Sequence, residues 1–158
     1  MGAKAEAFAR EFETKVAEAT ALLEKLTEAD WKKTTAEKWT VAATAHHVAG
    51  SYEPITHIIK TLAAGQPLPH FTPQMLDEMN ATHAKEFADC SKTETVALFK
   101  KGAAAAAVAV RGLSDGDLTK TGTVFTGRPP MSAEDMVKHA LLGHLDEHIG
   151  SIRKTIGG

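Results

Sequence analysis

The sequence predicts an all-α protein, a four-helix up-down bundle, and three observations carry that reading. Apolar residues recur at spacings of three and four along most of the 158 residues, the period of helices with one core-facing stripe. No segment sustains the alternation of a strand, and no internal repeat is evident. Helix start and stop signals divide the chain into four or five long amphipathic segments, which pack as a bundle. A chain of this length suits one domain, residues 1–158, with a single core that buries about 70% of the unfolded surface.

In the first segment Phe8, Phe12, Val16, Ala19, Leu23 and Leu26 form the apolar stripe of a helix of about six turns. It is expected to end near Thr27–Trp31, with a loop through Lys38. Thr40 is a good N-cap for a second helix that runs to Gly65, a C-terminal glycine able to take a left-handed turn. Pro54 lies inside that span and should kink or break it, because it removes one N–H bond. Three prolines in residues 66–73 mark a loop. From Pro73, Met75, Leu76, Met79, His83 and Phe87 share a stripe. Ser91 and Glu94 then form a capping box before a run to Gly112. The pattern leaves open whether residues 73–112 are one bent helix or two. Residues 114–130, rich in Gly, Thr and Pro, read as a long loop with an extended piece at Thr123–Phe125. A capping box at Ser132 and Asp135 opens the last helix, which carries Val137, Ala140, Leu141, His144, His148, Ile152 and Ile156. The two long connections should cap one or both ends of the bundle.

Composition narrows the function classes. The formal net charge is -2 and its charges are interspersed, so no basic face points to nucleic acid. A single cysteine, Cys90, excludes an intrachain disulfide and suits a reducing cytoplasm. It has no recognisable partner histidine and reads as a packed thiol. The charged, amphipathic N-terminus lacks the apolar core of a secretory signal. The most apolar run, Ala103–Val110, is too short to span a bilayer. No Gly-rich nucleotide-binding motif occurs.

The eight histidines carry most of the functional information. His144 and His148, in the run HLDEH, sit four residues apart, on one helix face, where both rings can reach one metal ion. A site that does chemistry needs a third protein ligand and an open position. His47, two turns into the second helix, is the candidate. His46 points about 100° away from it. His46, His57, His70 and His139 read as polar residues at helix edges. His83 shares a stripe with Met79 and Phe87, as a core histidine or as a pocket residue. The same HLDEH run also fits a His-x-x-Glu-His peptidase pattern with Glu147 as general base. That pattern expects a further ligand well downstream and an extended cleft, so it is set aside. Glu147 is instead a carboxylate that orients a ligand from behind, or a solvated helix residue.

Trp39, a helix start at Thr40–Val41, His47 in WTVAATAHHVAGS and the later HLDEH pair, taken in that order, resemble the DinB/YfiT-like superfamily. The resemblance spans nearly the whole chain, with a short polar stretch, Leu76–Ala81, between the motifs. It implies a four-helix bundle holding a divalent metal, often zinc or nickel, through His47, His144 and His148. It also implies thiol-dependent chemistry, since members with assigned activity are mostly S-transferases and isomerases using bacillithiol, mycothiol or glutathione. The family often continues after its last histidine with Arg-Gly-Gln, whereas this chain has Ile149, Gly150 and Ser151.

The expected function is a metal-dependent transfer or addition of a low-molecular-weight thiol to a small electrophile, with hydrolysis as a variant. The expected pocket is lined by Ser51 and Tyr52 of the second helix, Met79, Asn80 and His83 of the third segment, and the loop near Phe71. Charge alone makes Arg128 or Arg153 the candidate for holding an anionic substrate. The partner is then a small molecule, without nucleic acid or membrane, and a homodimer is compatible with such a bundle. The alternative is a non-catalytic bundle that binds a metal or a small ligand.

Overall fold

The computed structural model describes residues 2–157, and among them helices dominate. Helix α1 (Ala3–Lys25) buries Ala5, Ala9, Phe12, Ala19 and Leu23, much of the stripe its spacing predicts. The expected loop after it contains a further turn, α2 (Glu28–Lys32). Thr27 and Asp30 cap it reciprocally. This short turn seats Trp31, 3% exposed, whose indole N–H donates to the Cys90 carbonyl at 2.8 Å.

Thr40 caps α3 (Val41–Ala63) by accepting from the Ala43 amide at 3.0 Å, and its hydroxyl donates to the Ala88 carbonyl at 2.8 Å. Pro54 does not end this helix. Its missing N–H would have served the carbonyl of Gly50, which is exposed and can turn to water instead. Gly65 follows with φ at 70°, the left-handed stop that glycine permits.

Residues 73–112 form two helices. α4 (Pro73–Glu86) is capped by Thr72, and α5 (Lys92–Arg111) by Ser91. α4 buries no residue completely; Met75 and Met79 of its apolar stripe are exposed, whereas Leu76, His83 and Phe87 are half-buried. The loop expected at 114–130 holds a turn, α6 (Asp115–Leu118), and one arm of a two-stranded antiparallel ribbon. The ribbon pairs β1 (Thr121–Gly122) with β2 (Met131–Ser132), so the extended piece lies just before Thr123–Phe125. Val124 is buried instead, and Phe125 stacks on Phe71 with ring centroids 5.9 Å apart.

The last long helix opens as α7 (Ala133–Asp135) on the full Ser132/Asp135 capping box. It then winds as a π-helix over Met136–Gly143 before continuing as α8 (His144–Ile156). Met136, Val137, Leu141 and Leu142 of the π segment are buried in the core. Gly143 leaves room for that winding, since a Cβ there would lie 3.2 Å from the Lys138 carbonyl oxygen.

The four long helices form the expected bundle, but not in chain order around it. α5 packs extensively on both α1 and α3, and the last helix touches both α3 and α1 on the other side. α1 and α3 thus stand diagonally. They meet across the core through Phe12 and Tyr52, whose rings contact edge-on at 5.5 Å. The two long connections cap one end together. The Thr126 amide donates to the Phe71 carbonyl at 2.7 Å, and the Phe71 amide to the Thr126 hydroxyl at 3.0 Å. Among the described residues no helix is long and apolar enough to cross a membrane.

Candidate metal centre

Three elements build the site. α3 presents His47 less than two turns after the Thr40 cap, and α8 presents His144 and His148 on successive turns of one face. One ring nitrogen from each histidine lies within 4.8 Å of the others. His47 Nε2 and His144 Nε2 are 2.9 Å apart, and ring centroids within the trio are separated by 4.4 to 4.9 Å. Three nitrogens about 2.1 Å from one ion would stand about 3.4 Å apart, so small ring rotations suffice. His47 and His144 are half-buried, and His148 is 6% exposed.

The third element is the loop before α3. Trp39 packs edge-on against His47 at 5.2 Å and stacks on His148 at 6.0 Å with planes 16° apart. That contact is the physical content of the tryptophan that precedes the helix in the sequence. The loop is tightly built. The Trp39 carbonyl accepts from the Thr35 amide at 2.8 Å and from the Thr35 hydroxyl at 3.1 Å, and Lys38 takes a φ of 68°.

Burial sets the protonation of the trio. It pushes His47 down to about 3, helped by repulsion from His144, His148 and His83. It pushes His144 down to about 4, with His148 adding to the effect. His148 is also lowered by burial, against the opposing charges of Glu147 and Glu37. All three rings are therefore neutral near pH 7, the form that ligates a metal. The Nδ1 of His148 is buried with no hydrogen-bond partner among the described residues. A convergent, neutral, all-imidazole donor set with an unpartnered nitrogen fits a divalent transition ion.

His46 is not the edge residue its helical phase suggests. Its Nδ1 lies 2.8 Å from His83 Nε2, and its ring stacks on Phe87 at 3.8 Å. His83 in turn approaches His47 at 5.8 Å. α4 therefore lays a second imidazole pair beside the first. Sequence spacing within either helix cannot reveal this pairing, because it depends on where α4 lies against α3. Burial lowers both rings as well.

The other expected pocket residues scatter. Ser51, one turn after His47, is half-buried and donates to the Val48 carbonyl at 2.7 Å. Asn80 is half-buried one turn before His83, and Met79 is 59% exposed. Tyr52 belongs to the core rather than to a pocket wall. It is 2% exposed and packs edge-on against Phe12 and Phe99, each at 5.5 Å. Phe71 pairs with Phe125 beyond the C-terminal end of α3, remote from His47. Arg128, Arg153 and Glu147 are exposed, and Glu147 makes no hydrogen bond to the trio among the described residues. Asp146 points outward to Lys15 at 2.9 Å. A surface cavity of about 430 Å³ opens between α4 and α5, lined by His46, Phe87, Cys90, Thr95 and Leu98 among others. It holds none of the three converging histidines.

The DinB superfamily model matches residues 11–152. The fold is similar to the crystal structure of a mycothiol-dependent maleylpyruvate isomerase, with a TM-score of 0.70, 16% identity and coverage of 94% of this chain. This chain spans 59% of that isomerase's length. It is also similar to YfiT from Bacillus subtilis, described as a probable metal-dependent hydrolase with an unusual four-helix bundle topology. There the TM-score is 0.69 at 19% identity, covering 98% of this chain and 86% of that one. No curated protein matches the sequence itself.

Proposed function

The chain belongs to the DinB superfamily, and from that premise we propose that it is a metal-dependent enzyme whose divalent ion is held by His47, His144 and His148. The proposed reaction is transfer or addition of a low-molecular-weight thiol to a small electrophile, of S-transferase or isomerase type. The observation that carries the proposal is the convergence of three neutral imidazole nitrogens within 4.8 Å, drawn from two helices. The similarity to a mycothiol-dependent isomerase and to a probable metal-dependent hydrolase supports it.

A bound zinc or nickel ion supplies Lewis acidity, which polarises a carbonyl and favours the thiolate of a sulfur nucleophile. The protein's own residues do the remaining work. His47 and His144 hold their lone pairs free of protons at neutral pH because burial opposes charging them. Trp39 walls the centre on the side of His47 and His148 and shields it from water. His83, held by His46 and Phe87, brings a further imidazole to 5.8 Å from the His47 ring, a placement suited to orienting a substrate oxygen. Ser51 and Asn80 lie one turn beyond on either helix and would shape the pocket.

Elemental analysis of the purified protein, with thiol consumption measured against a panel of small electrophiles, tests the proposal. One equivalent of zinc or nickel is expected, lost in His148→Ala together with thiol turnover. One equivalent of metal with no turnover for any thiol would assign a binding module instead. No metal, and no uptake on adding zinc or nickel, would remove the centre altogether.

A further inference from the structure

The loop before α3 is fastened to α8 at two points. Trp39 stacks on His148, and the Ser151 hydroxyl donates to Glu37 Oε2 at 2.7 Å. Ser151 lies three residues after His148, on the next turn of the same helix face. Glu37 and Trp39 flank Lys38, the one non-glycine residue with positive φ among those described. Left-handed backbone at a lysine persists only where its surroundings over-determine it. Here the Thr35 amide and hydroxyl bonds to the Trp39 carbonyl and the Lys38 amide bond to Thr35 at 2.9 Å impose it. The strained turn sends the side chains on both sides of it to α8.

We infer that Glu37 and Ser151 form a latch that fixes the loop over His148 and so sets the orientation of that imidazole, with Glu37 as a positioning residue for the three-histidine centre. The consequence for metal affinity rests on the function proposed above, whereas the latch does not. Glu147, the carboxylate that sequence spacing favours for such a role, is exposed and makes no hydrogen bond to the trio among the described residues. The position that departs from the resembled family's run therefore has a partner of its own in this chain.

The test uses the full chain with Ser151→Ala, Glu37→Ala and the conservative Ser151→Thr, which keeps the hydroxyl. Ser151 and Glu37 lie at the surface or half-buried, so the fold should survive each change. In metal-free protein, NMR of the His148 ring protons, which lie in the ring current of Trp39, reads the latch. Both alanine variants should move those resonances toward an unstacked imidazole and speed exchange of the Thr35 and Lys38 amides about tenfold. Ser151→Thr should restore both. Resonances and exchange unchanged from the parent would overturn the latch. Cobalt(II) titration then reads positioning. The alanine variants should bind cobalt about tenfold more weakly, with altered visible absorption bands, and Ser151→Thr should bind it as the parent does. Parent-like cobalt affinity in a variant whose His148 resonances have moved would overturn the positioning role. A parent protein that takes up no cobalt would overturn the metal centre and that role with it, and the NMR result would still decide the latch.

Discussion

His47 and His144 are half-buried bases, and their protonation couples to folding. Their folded values lie near 3 and 4, against 6.5 for a free imidazole. The unfolded chain therefore binds these protons first. The stability they contribute is fully present above pH 6.5 and is lost as pH falls from there toward 4 and 3. Metal-free protein should show a urea midpoint that declines over that window, and His47→Gln should flatten the decline. Tyr52 gives a second prediction at this scale. Its hydroxyl is buried with no partner among the described residues, and burial holds it far above the usual phenol range. Tyr52→Phe should raise stability by about 1 kcal/mol, read in denaturant, and leave thiol turnover unchanged. Loss of turnover would return Tyr52 to the pocket. The HLDEH pair was legible because the spacing of its rings is local. The burial of Tyr52 was not, because an amphipathic helix contacts two neighbours and its sequence does not say which of them a residue faces.

Among the elements, α3 shows what a cap does beyond starting a helix. Thr40 accepts from Ala43 and donates to the Ala88 carbonyl, so it anchors the start of the His47 helix to the α4–α5 connection. Thr40→Ala should cost about 1–2 kcal/mol and lower Tm by about 3–6 °C, measured by thermal denaturation. The caps at Thr40, Ser91 and Ser132 were readable from sequence, because each needs only a side chain three residues from its partner amide. The α2 cap at Thr27 and Asp30 obeys the same rule, but five residues leave no periodic stripe to mark a helix there. The separation of α4 from α5 was signalled by the Ser91 cap. The exposure of Met75 and Met79 on the α4 stripe was not, because they look the same in sequence whether or not a partner covers them.

For the molecule as a whole, the all-helical bundle followed from periodicity, but its neighbour order did not. Periodicity reports that a helix has an apolar face, and the diagonal placement of α1 and α3 depends on how those faces sort in space. The order has a dynamic consequence. α3 and α5 share the most extensive contact, whereas α4 buries no residue completely and packs mainly on α3. Native-state hydrogen exchange should therefore find α4 opening at a lower free energy than the four bundle helices, and α3 and α5 at the highest. The proposed ion would bridge α3 to α8. Zinc at one hundred times its dissociation constant should then stabilise the fold by about 2.7 kcal/mol, a rise in Tm of about 5–10 °C in a thermal scan. His144→Ala should abolish that rise.

The π segment at Met136–Gly143 gives the chain a spare residue just upstream of the site. An extra residue in an α-helix ordinarily turns everything after it by about 100°. Winding it into wider turns absorbs the surplus, so His144 and His148 still meet His47 while Met136 and Val137 stay in the core. A deletion in this stretch, of Ala140 for example, would tighten the winding to α and leave both histidines facing α3. Insertions and deletions are usually ruinous inside a core helix, but the Ala140 deletion is expected to keep the site in alignment, with retained cobalt uptake as the check.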